Sequence, residues 1–302
     1  MSKTYKAIGI NLHAMPMGEA DRLLTILSPE RGLIKAIAVG SRKPRAKLGG
    51  RSSLFVVNEL LLAEGRNFHR IVQAETLESY PGLARTLSRL AAGQYLLELT
   101  LGQALEDHPQ AELFFLLQTH LKQIEQASAQ ELLPRLSQAS FSLLCLAGLA
   151  PQVYYCGRTR QAIQPNFSDR HWRVGFSIAA GGIFTLNLSG DPAEAMTGQP
   201  SQRSNHSNNN NDRGYNRTVT PLTAEELAML QELATLSPPS CVSCDLDLTQ
   251  TSAAIVPFPV HAPQLWLKIE SLLRAYAQHH LDHPLRSAVL LESCFSEEGF
   301  LG

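Results

Sequence analysis

A strand-like run passes directly into a cationic segment in the sequence Leu33-Ile34-Lys35-Ala36-Ile37-Ala38-Val39-Gly40-Ser41-Arg42-Lys43-Pro44-Arg45-Ala46-Lys47-Leu48-Gly49-Gly50-Arg51. Residues 33–39 are short, mostly apolar and preceded by turn residues, which predicts a β-strand. Residues 40–51 carry five basic side chains and no acidic one. Their glycines and proline disfavour regular structure, so we expect a basic loop after the strand.

Four further strand patterns lie in the first 80 residues. They are Tyr5–Leu12, Arg22–Leu27, Leu54–Ala63 and Phe68–Leu77. Turn residues separate them, as in Ser28–Gly32 and Glu64–Asn67. Five short strands with a basic, glycine-bearing loop between the third and the fourth favour a small β-barrel of the OB-fold type over a sandwich. We therefore expect an OB-fold domain at residues 1–79.

Charge is divided unevenly along the chain. The 302 residues carry a formal net charge of −1. Residues 1–70 hold 12 basic and 5 acidic side chains, a net +7, and the remaining residues hold 14 basic and 22 acidic ones, a net −8. This division suggests an anion-binding module attached to an acidic body. The alternative is that the basic residues only solvate a small β-domain.

Helical periodicity replaces the strand pattern after the turn at residues 79–82. Leucines recur at helical spacing in three segments between Leu83 and Cys145. Near the C-terminal end, Thr223 and Glu226 have capping-box spacing before one helix, and Pro263–His280 predicts another. We expect a helical bundle whose first part is residues 80–155 and whose C-terminal part is residues 221–302. The fold class is multi-domain α+β.

Two segments interrupt the helical pattern. Residues 156–188 contain short β-like runs around Gly181 and Gly182. Residues 189–220 are polar, with an Asn-rich centre that has too few apolar residues to offset the entropy of ordering. We expect a disordered Asn-rich loop at residues 189–220. Self-association through the Asn-rich tract is a less favoured alternative.

The basic loop predicts binding to a polyanion. Several cations on one loop can neutralise consecutive phosphates, and the release of counterions makes such binding depend strongly on salt. Tyr5, Phe55 and Phe68 are the candidate stacking residues, although each also fits a barrel core. We therefore expect contacts with the backbone and little base preference. The candidate DNA-binding residues are Arg22, Lys35, Arg42, Lys43, Arg45, Lys47, Arg51, Arg66 and Arg70.

Catalytic patterns are weak in this sequence. Cys241 and Cys244 form a CxxC pair, but prolines precede it and acidic residues follow it, which disfavours a reactive thiol. The clustered His279, His280 and His283 suit the negative end of a helix as well as a metal site. The sequence has no nucleophile-elbow GxSxG and no dinucleotide-binding glycine fingerprint. We expect no enzymatic activity, no catalytic residues and no metal site.

Short motifs along the chain resemble those of one family, the bacterial DNA-repair protein RecO. The motifs are Gly18–Leu23, Arg31–Ala38, Arg42–Gly50, Pro81–Leu83, Tyr95–Leu99 and His280–Ser287. The resemblance implies binding to single- and double-stranded DNA, annealing of complementary strands and a cytoplasmic, nucleoid-associated location. It also implies partnership with RecR and with single-stranded-DNA-binding protein, so that RecA is loaded during recombinational repair. Membrane and small-molecule ligands are not expected.

The sequence departs from the resembled family at one site. Many family members carry a four-cysteine zinc site between the helical segments. Here Cys156 matches one cysteine of the first pair, whereas Thr185 and Leu188 stand where the second pair would lie. We therefore expect that residues 156–188 form a degenerate zinc-finger-like insertion, held by packing alone, and that the chain needs no cofactor. An unusual metal held by Cys156, Cys241 and Cys244 stays open.

Two alternative functions compete with DNA repair. The same cations would serve an RNA-binding OB-fold protein, which competition between matched DNA and RNA strands would identify. A metal or thiol enzyme could use Cys156, Cys241, Cys244 and the C-terminal histidines, and it would lose activity on Cys241→Ser. The sequence leaves open which surface binds protein partners and with what stoichiometry.

Overall fold

The fold is described from a computed structural model, which defines residues 3–186, 219–237, 262–281 and 285–295. The described residues group into two compact units, one at residues 1–148 and 239–302 and the other at residues 149–238. No helix among the described residues is both long enough and apolar enough to cross a membrane.

Five strands form a closed barrel at the start of the first unit. They are β1 (Thr4–Met17), β2 (Asp21–Ser28), β3 (Gly32–Ala38), β4 (Val56–Ala63) and β5 (His69–Ser79), in the order β1-β2-β3-β5-β4. All pairings are antiparallel except the short parallel pairing of β3 with β5, and the pairing of β1 with β4 closes the barrel. The five predicted strands are all present, and the long basic segment connects β3 to β4.

Alternating side chains fill the barrel. Leu24, Ile26, Ile34, Ala36 and Leu60 are among the buried core residues. Burying one leucine or isoleucine side chain contributes about 2 kcal/mol. The opposite face of the same strands points outward, because successive side chains in a strand alternate between faces.

Strand β1 is longer than the sequence predicted. The alternation ends near Leu12 in the sequence, whereas the strand continues to Met17. The register with β2 shifts between Asn11 and His13, as in a β-bulge, which reverses the pattern of inward and outward residues. The last part of β1 and the first part of β2 therefore form a β-hairpin whose tip is Gly18-Glu19-Ala20.

Five helices among the described residues of the first unit form a bundle. They are α1 (Leu87–Leu101), α2 (Ala111–Gln126), α3 (Leu132–Leu146), α5 (Pro263–His280) and α6 (Ser287–Phe295). Their buried faces include Tyr95, Leu117, Phe141, Trp266 and Leu273. The turn between β2 and β3 packs on the loop between α1 and α2. Gly32 has a φ of 66°, and a Cβ there would collide with the carbonyl oxygens of Leu105 and His108.

Buried charge is a feature of this bundle. Arg274 on α5 donates a hydrogen bond from Nε to Glu270 Oε1 at 3.1 Å, and its Nη1 lies 2.5 Å from Glu292 Oε1 on α6. Burial raises the pKa of Glu270, and the attraction of Arg274 opposes that rise. Arg274 therefore pairs with the buried carboxylate of Glu270 and links α5 to α6 through Glu292.

The second unit combines a small sheet with one helix. Strands β6 (Val174–Ser177), β7 (Gly182–Thr185) and β8 (Val219–Leu222) form a sheet in the order β7-β6-β8. Helix α4 (Ala224–Leu236) begins with the predicted capping box, in which Thr223 and Glu226 exchange hydrogen bonds. The Gln231 side chain donates to the carbonyl oxygens of Val153 and Ile163, at 2.8 and 3.2 Å.

Two boundaries differ from the sequence prediction. Helix α4 belongs to the second unit, whereas the sequence assigned it to the C-terminal part of the bundle. The contacts of Gln231 with residues 153 and 163 account for this placement. Val219 and Thr220, predicted to end the disordered loop, are strand residues paired with β6. The rest of that predicted loop, with its Asn-rich centre, lies outside the described residues.

Candidate nucleic-acid interface

The basic loop between β3 and β4 is a series of turns. Backbone N–H groups donate to carbonyl oxygens three residues earlier, from Lys43 to Gly40 at 3.1 Å, from Ala46 to Lys43 at 3.1 Å and from Gly49 to Ala46 at 3.0 Å. A short 3-10 helix at Gly50–Ser52 ends the series. The glycines and proline exclude a long helix or strand, as the sequence indicated, but the loop still has a defined path.

Both ends of the loop are attached to the barrel. At the first end, Gly40 N donates to Asp21 Oδ1 at 2.7 Å and Arg42 N donates to Ala20 O at 2.8 Å. At the second end, the buried Asn11 and Asn58 side chains both donate to Arg51 O, at 2.8 and 2.9 Å. Because two buried amides fix one carbonyl, the loop returns to the barrel at a set position.

Asn11 and Asn58 were not identified from the sequence. Each lies inside a strand, Asn11 between Ile10 and Leu12 and Asn58 directly after Val57, where asparagine is normally depleted. That misfit was the available signal, because a buried amide needs hydrogen-bond partners.

Three of the predicted basic residues, all arginines, donate hydrogen bonds to carbonyl or hydroxyl oxygens. Half-buried Arg22 donates from Nη1 to Ser52 Oγ at 2.9 Å and to Gly49 O at 3.2 Å. Arg42 donates to Gly18 O at 2.9 Å, which ties the loop to the tip of the β1–β2 hairpin. Arg51 donates to Lys47 O at 3.0 Å. All three side chains contact carbonyl or hydroxyl oxygens, so their positive charges are not neutralised by these contacts.

The middle of the loop presents three exposed cations. Lys43, Arg45 and Lys47 are exposed, and no carboxylate of the described chain lies within ion-pair distance of them. Their side chains also make no hydrogen bond with any described residue. These three charges are therefore available to an anionic ligand.

Arg45 has an unusual backbone conformation for its residue type. Its φ is 59°, and it follows Pro44 in a turn closed by the hydrogen bond from Ala46 N to Lys43 O. Proline followed by a residue with positive φ is the pattern of a type II turn, in which glycine or asparagine is usual. An arginine costs about 1 kcal/mol in this conformation. Arg45 therefore occupies the turn apex at some expense to stability, as is common at functional sites.

Lys35 differs from the loop cations. Its Nζ lies 2.6 Å from Glu106 Oε1, in the loop between α1 and α2. The pair is partly exposed, and the carboxylate compensates the lysine charge. The structure therefore places Lys35 on the barrel surface but does not present it as a free cation.

Arg66 and Arg70 are basic residues outside the loop, before and within β5. Arg66 is exposed in the turn between β4 and β5. Arg70 is exposed on β5 and pairs in register with Ile37, three residues before the basic loop begins. The structure brings Arg70 and the start of the loop to neighbouring strands.

The three candidate stacking residues are not exposed platforms. The Arg31 guanidinium lies 4.1 Å from the centroid of the Tyr5 ring, and the His69 ring contacts Tyr5 edge to face at 5.4 Å. Phe55 is buried beside Gly93 of α1, and Phe68 is half-buried. The contact between Arg31 and Tyr5 was not identified from the sequence, because the two residues are far apart in the chain.

Comparison with known proteins divides the chain at the end of the barrel. Residues 1–80 match the family described as Recombination protein O N terminal, and residues 84–189 match Recombination protein O C terminal. The DNA repair protein RecO of Cyanothece sp. is 49% identical over 98% of this chain and 98% of its own length. The chain belongs to the RecO family. RecO proteins of Gloeothece citriformis and Nostoc sp. are 48% and 46% identical, over 97% and 98% of this chain and 98% of their own lengths.

The RecO N-terminal match contains all nine predicted DNA-binding residues, from Arg22 to Arg70. The barrel and its basic loop are thus the N-terminal RecO region. The RecO C-terminal match begins before α1 and includes β6 and β7.

Cys156 lies within the RecO C-terminal match. Its buried Sγ accepts a hydrogen bond from Thr159 N at 3.4 Å and lies 3.7 Å from Thr185 Oγ1. Burial alone would raise the pKa of this thiol, but hydrogen bonds from Thr159 and from the backbone N–H groups of Thr185 and Arg158 lower it to about 6. Among the described residues, no group of three or more metal-ligating side chains comes together.

The remaining predicted clusters are the C-terminal histidines and the CxxC pair. His279 and His280 lie in the last turn of α5, where the His280 ring is 4.2 Å from the Tyr276 ring and 5.0 Å from the His279 ring. His283 and the pair Cys241 and Cys244 lie outside the described residues.

Proposed function

We propose that this chain is a non-enzymatic DNA-binding and strand-annealing mediator of recombinational repair. The observation that carries the proposal is the set of exposed, unneutralised cations Lys43, Arg45 and Lys47 on a loop whose two ends are fixed to the barrel. Membership of the RecO family supplies the setting of DNA repair. The strand order β1-β2-β3-β5-β4 and the closure of the barrel support an OB-fold.

The charge arrangement suits annealing. Two DNA strands repel each other through their phosphates, and a surface that neutralises phosphates lowers this repulsion while bases pair. No base needs to be recognised for that purpose. Arg22, Arg42 and Arg51 hold the loop in place, and the three apex cations, with Arg66 and Arg70, provide the phosphate contacts. The Lys35 contribution is reduced by its pairing with Glu106.

An annealing assay tests the proposal. Complementary labelled oligonucleotides are mixed with the protein or with the variant Lys43→Ala/Arg45→Gly/Lys47→Ala, in the absence and presence of single-stranded-DNA-binding protein. We expect the protein to accelerate annealing and the variant to lose most of this effect, because it lacks the free charges. Equal annealing rates with and without the protein would contradict the proposed function. Tighter binding to a matched RNA strand would favour the RNA-binding alternative.

We also propose the protein partners that the family resemblance implies. The chain would act in the cytoplasm at the nucleoid, with RecR and single-stranded-DNA-binding protein, to permit loading of RecA. Co-sedimentation of the full chain with each purified partner, with and without DNA, tests this step. Failure to associate under both conditions would contradict it.

We propose further that Cys156 holds no structural zinc. A structural zinc site needs four nitrogen or sulfur ligands in tetrahedral geometry, whereas Cys156 has a hydroxyl and backbone N–H groups as neighbours. Those N–H groups stabilise the thiolate that a metal would otherwise hold. We expect the melting temperature to be unchanged by a zinc chelator. Stoichiometric zinc in the purified protein, with loss of folding on chelation, would contradict this proposal.

A further inference from the structure

Two buried asparagines lie where the basic loop rejoins the barrel. Asn11 on β1 and Asn58 on β4 are both fully buried. Asn11 Nδ2 donates to Arg51 O and to Ser53 O, each at 2.8 Å, and Asn58 Nδ2 donates to Arg51 O at 2.9 Å. Amide groups inside the barrel therefore hold the chain directly after the exposed cations of the loop.

Irregular strand pairing accompanies both asparagines. The register between β1 and β2 shifts between Asn11 and His13, and the register between β4 and β5 shifts between Val57 and Asn58. A β-bulge of this kind changes the direction of a side chain and is common next to functional sites. Two separate irregularities therefore lie at the two side chains that converge on Arg51 O.

A third strand orients one of the amides. Thr76 on β5 pairs in register with Asn58, and its Oγ1 donates to Asn58 Oδ1 at 3.2 Å. Because the oxygen of the amide accepts this hydrogen bond, its nitrogen is left to donate to Arg51 O. Thr76, which is exposed, therefore sets the orientation of the Asn58 amide.

The apex of the loop depends on anchors at both ends. Asp21 Oδ1 accepts a hydrogen bond from Gly40 N at the start, and the two asparagines hold the end. Lys43, Arg45 and Lys47 lie between these anchors. Arg45 has a φ of 59°, a conformation that persists only where the surrounding structure determines it.

We infer that Asn11 and Asn58 are positioning residues of the DNA interface, which hold the three apex cations in one arrangement in the free protein. The inference rests on the proposed function and adds that affinity depends on the order of the loop as well as on its charge. A loop that is ordered in advance loses less conformational entropy on binding. Removing a cation instead removes a phosphate contact and the counterions that it releases. The two kinds of residue therefore differ in their effect on salt dependence.

Four variants test the inference. Asn11→Leu and Asn58→Leu replace an amide by an aliphatic side chain of similar size. Thr76→Val leaves both asparagines in place and removes only the hydrogen bond that orients Asn58, so it tests the inference even if the leucine variants fail to fold. The matched control is Leu62→Ala, which opens a cavity in the barrel core near the opposite end of β4 from the loop. Urea unfolding verifies that each variant is folded under the assay conditions.

Limited proteolysis measures the order of the loop without DNA. Trypsin cleaves after lysine and arginine, so a loop that opens is cut after Arg45 and Lys47, whereas the bond between Lys43 and Pro44 resists cleavage. We expect cleavage at these two sites to be about tenfold faster in each leucine variant, because cleavage follows the population of the open loop. The rate at the same sites should be unchanged in Leu62→Ala.

Fluorescence anisotropy with an oligothymidylate measures affinity over a range of salt concentrations. We expect Asn11→Leu and Asn58→Leu to bind about tenfold more weakly at every salt concentration, and Thr76→Val about threefold, because the loop must be ordered on binding. The slope of log K against log salt should stay unchanged, since the same phosphates are contacted. Leu62→Ala should keep the affinity of the unaltered protein.

Other outcomes separate the two proposals. Unchanged affinity in the folded asparagine variants would overturn the inference, as would an equal loss of affinity in Leu62→Ala, which would assign the effect to general stability. A shallower salt slope in the asparagine variants would also contradict it, because they would then change the number of phosphate contacts. If Lys43→Ala/Arg45→Gly/Lys47→Ala loses affinity while the asparagine variants lose none, the proposed function stands and the inference fails. If the unaltered protein binds no DNA, the proposed function itself fails.

Discussion

The basic loop at residues 40–51 and the α5–α6 helix pair differ in the burial and pairing of their positive charges. On α5, Arg274 is buried and contacts two carboxylates, Glu270 and Glu292. On the loop, Lys43, Arg45 and Lys47 are exposed and have no carboxylate partner among the described residues. The difference shows that a cation is available to a ligand only where the fold keeps acidic side chains away from it.

The same comparison explains why the net charge of a region overstates its binding capacity. Lys35 counts toward the positive charge of residues 1–70, yet Glu106, from outside that region, compensates it. Arg22 also counts, but its position is fixed by contacts with the loop. The number of free cations is therefore smaller than the number of basic residues.

The largest expected effect comes from removing the buried cation. Arg274→Met leaves Glu270 buried without its partner, and breaking a buried pair in this way costs about 3–5 kcal/mol of unfolding free energy. Urea unfolding measures this loss. The double variant Arg274→Met/Glu270→Leu should recover most of it, because it removes the stranded carboxylate as well. A loss below about 1 kcal/mol in the single variant would show that the pair is not buried as described.

A second prediction concerns the buried His120 on α2. Burial holds its pKa at about 4, below the ordinary 6.5, and its Nε2 has no hydrogen-bond partner in the described chain. The unfolded chain takes up the proton below 6.5 and the folded chain only below about 4, so stability falls as the pH decreases through this window.

His120→Leu removes this proton linkage. Relative to its effect near neutral pH, the variant should gain about 2 kcal/mol of unfolding free energy at about pH 5. Urea unfolding at several pH values measures the gain. Parallel stability curves for the two proteins between pH 7 and 5 would contradict the assignment.

The variant Arg45→Gly tests the role of the Arg45 charge in DNA binding separately from the effect of its backbone conformation on stability. Glycine tolerates the positive φ at this position, so the variant should unfold at the same or a slightly higher temperature, with a gain of at most about 1 kcal/mol. It also removes one free cation, and DNA affinity should fall about threefold. Thermal unfolding and fluorescence anisotropy check the two effects. Loss of stability without loss of affinity would reverse the interpretation of this turn.

The smallest expected effect is at Lys35. Because Glu106 compensates it, Lys35→Ala should change DNA affinity less than about twofold. Glu106→Gln leaves Lys35 free and should raise the affinity slightly. Fluorescence anisotropy at low salt measures both. A loss in Lys35→Ala as large as that of the loop variant would place Lys35 among the phosphate contacts.

The barrel could be predicted from the sequence because its signals are local. Alternating apolar residues and turn residues mark each strand, and the five predicted strands are all present. The extension of β1 was not predicted because the bulge near Leu12 reverses the alternation. The capping box at Thr223 was predicted from two residues three positions apart, and it is confirmed.

The candidate site was predicted less completely, because its electrostatics depend on contacts between distant residues. Nothing near Lys35 in the sequence points to Glu106, which is 71 positions away. The same holds for the two asparagines that fix Arg51 O. Sequence identifies which residues are basic, and the fold determines which of them are free.

The dependence of DNA affinity on salt tests the central claim most directly. The claim is that the three apex cations of the basic loop neutralise phosphates. Affinity for an oligothymidylate is measured over a range of salt concentrations for the unaltered protein and for Lys43→Ala/Arg45→Gly/Lys47→Ala. We predict that the slope of log K against log salt becomes shallower by about 2, since each phosphate contact on a single strand contributes about 0.7. An unchanged slope in the folded variant would contradict the claim.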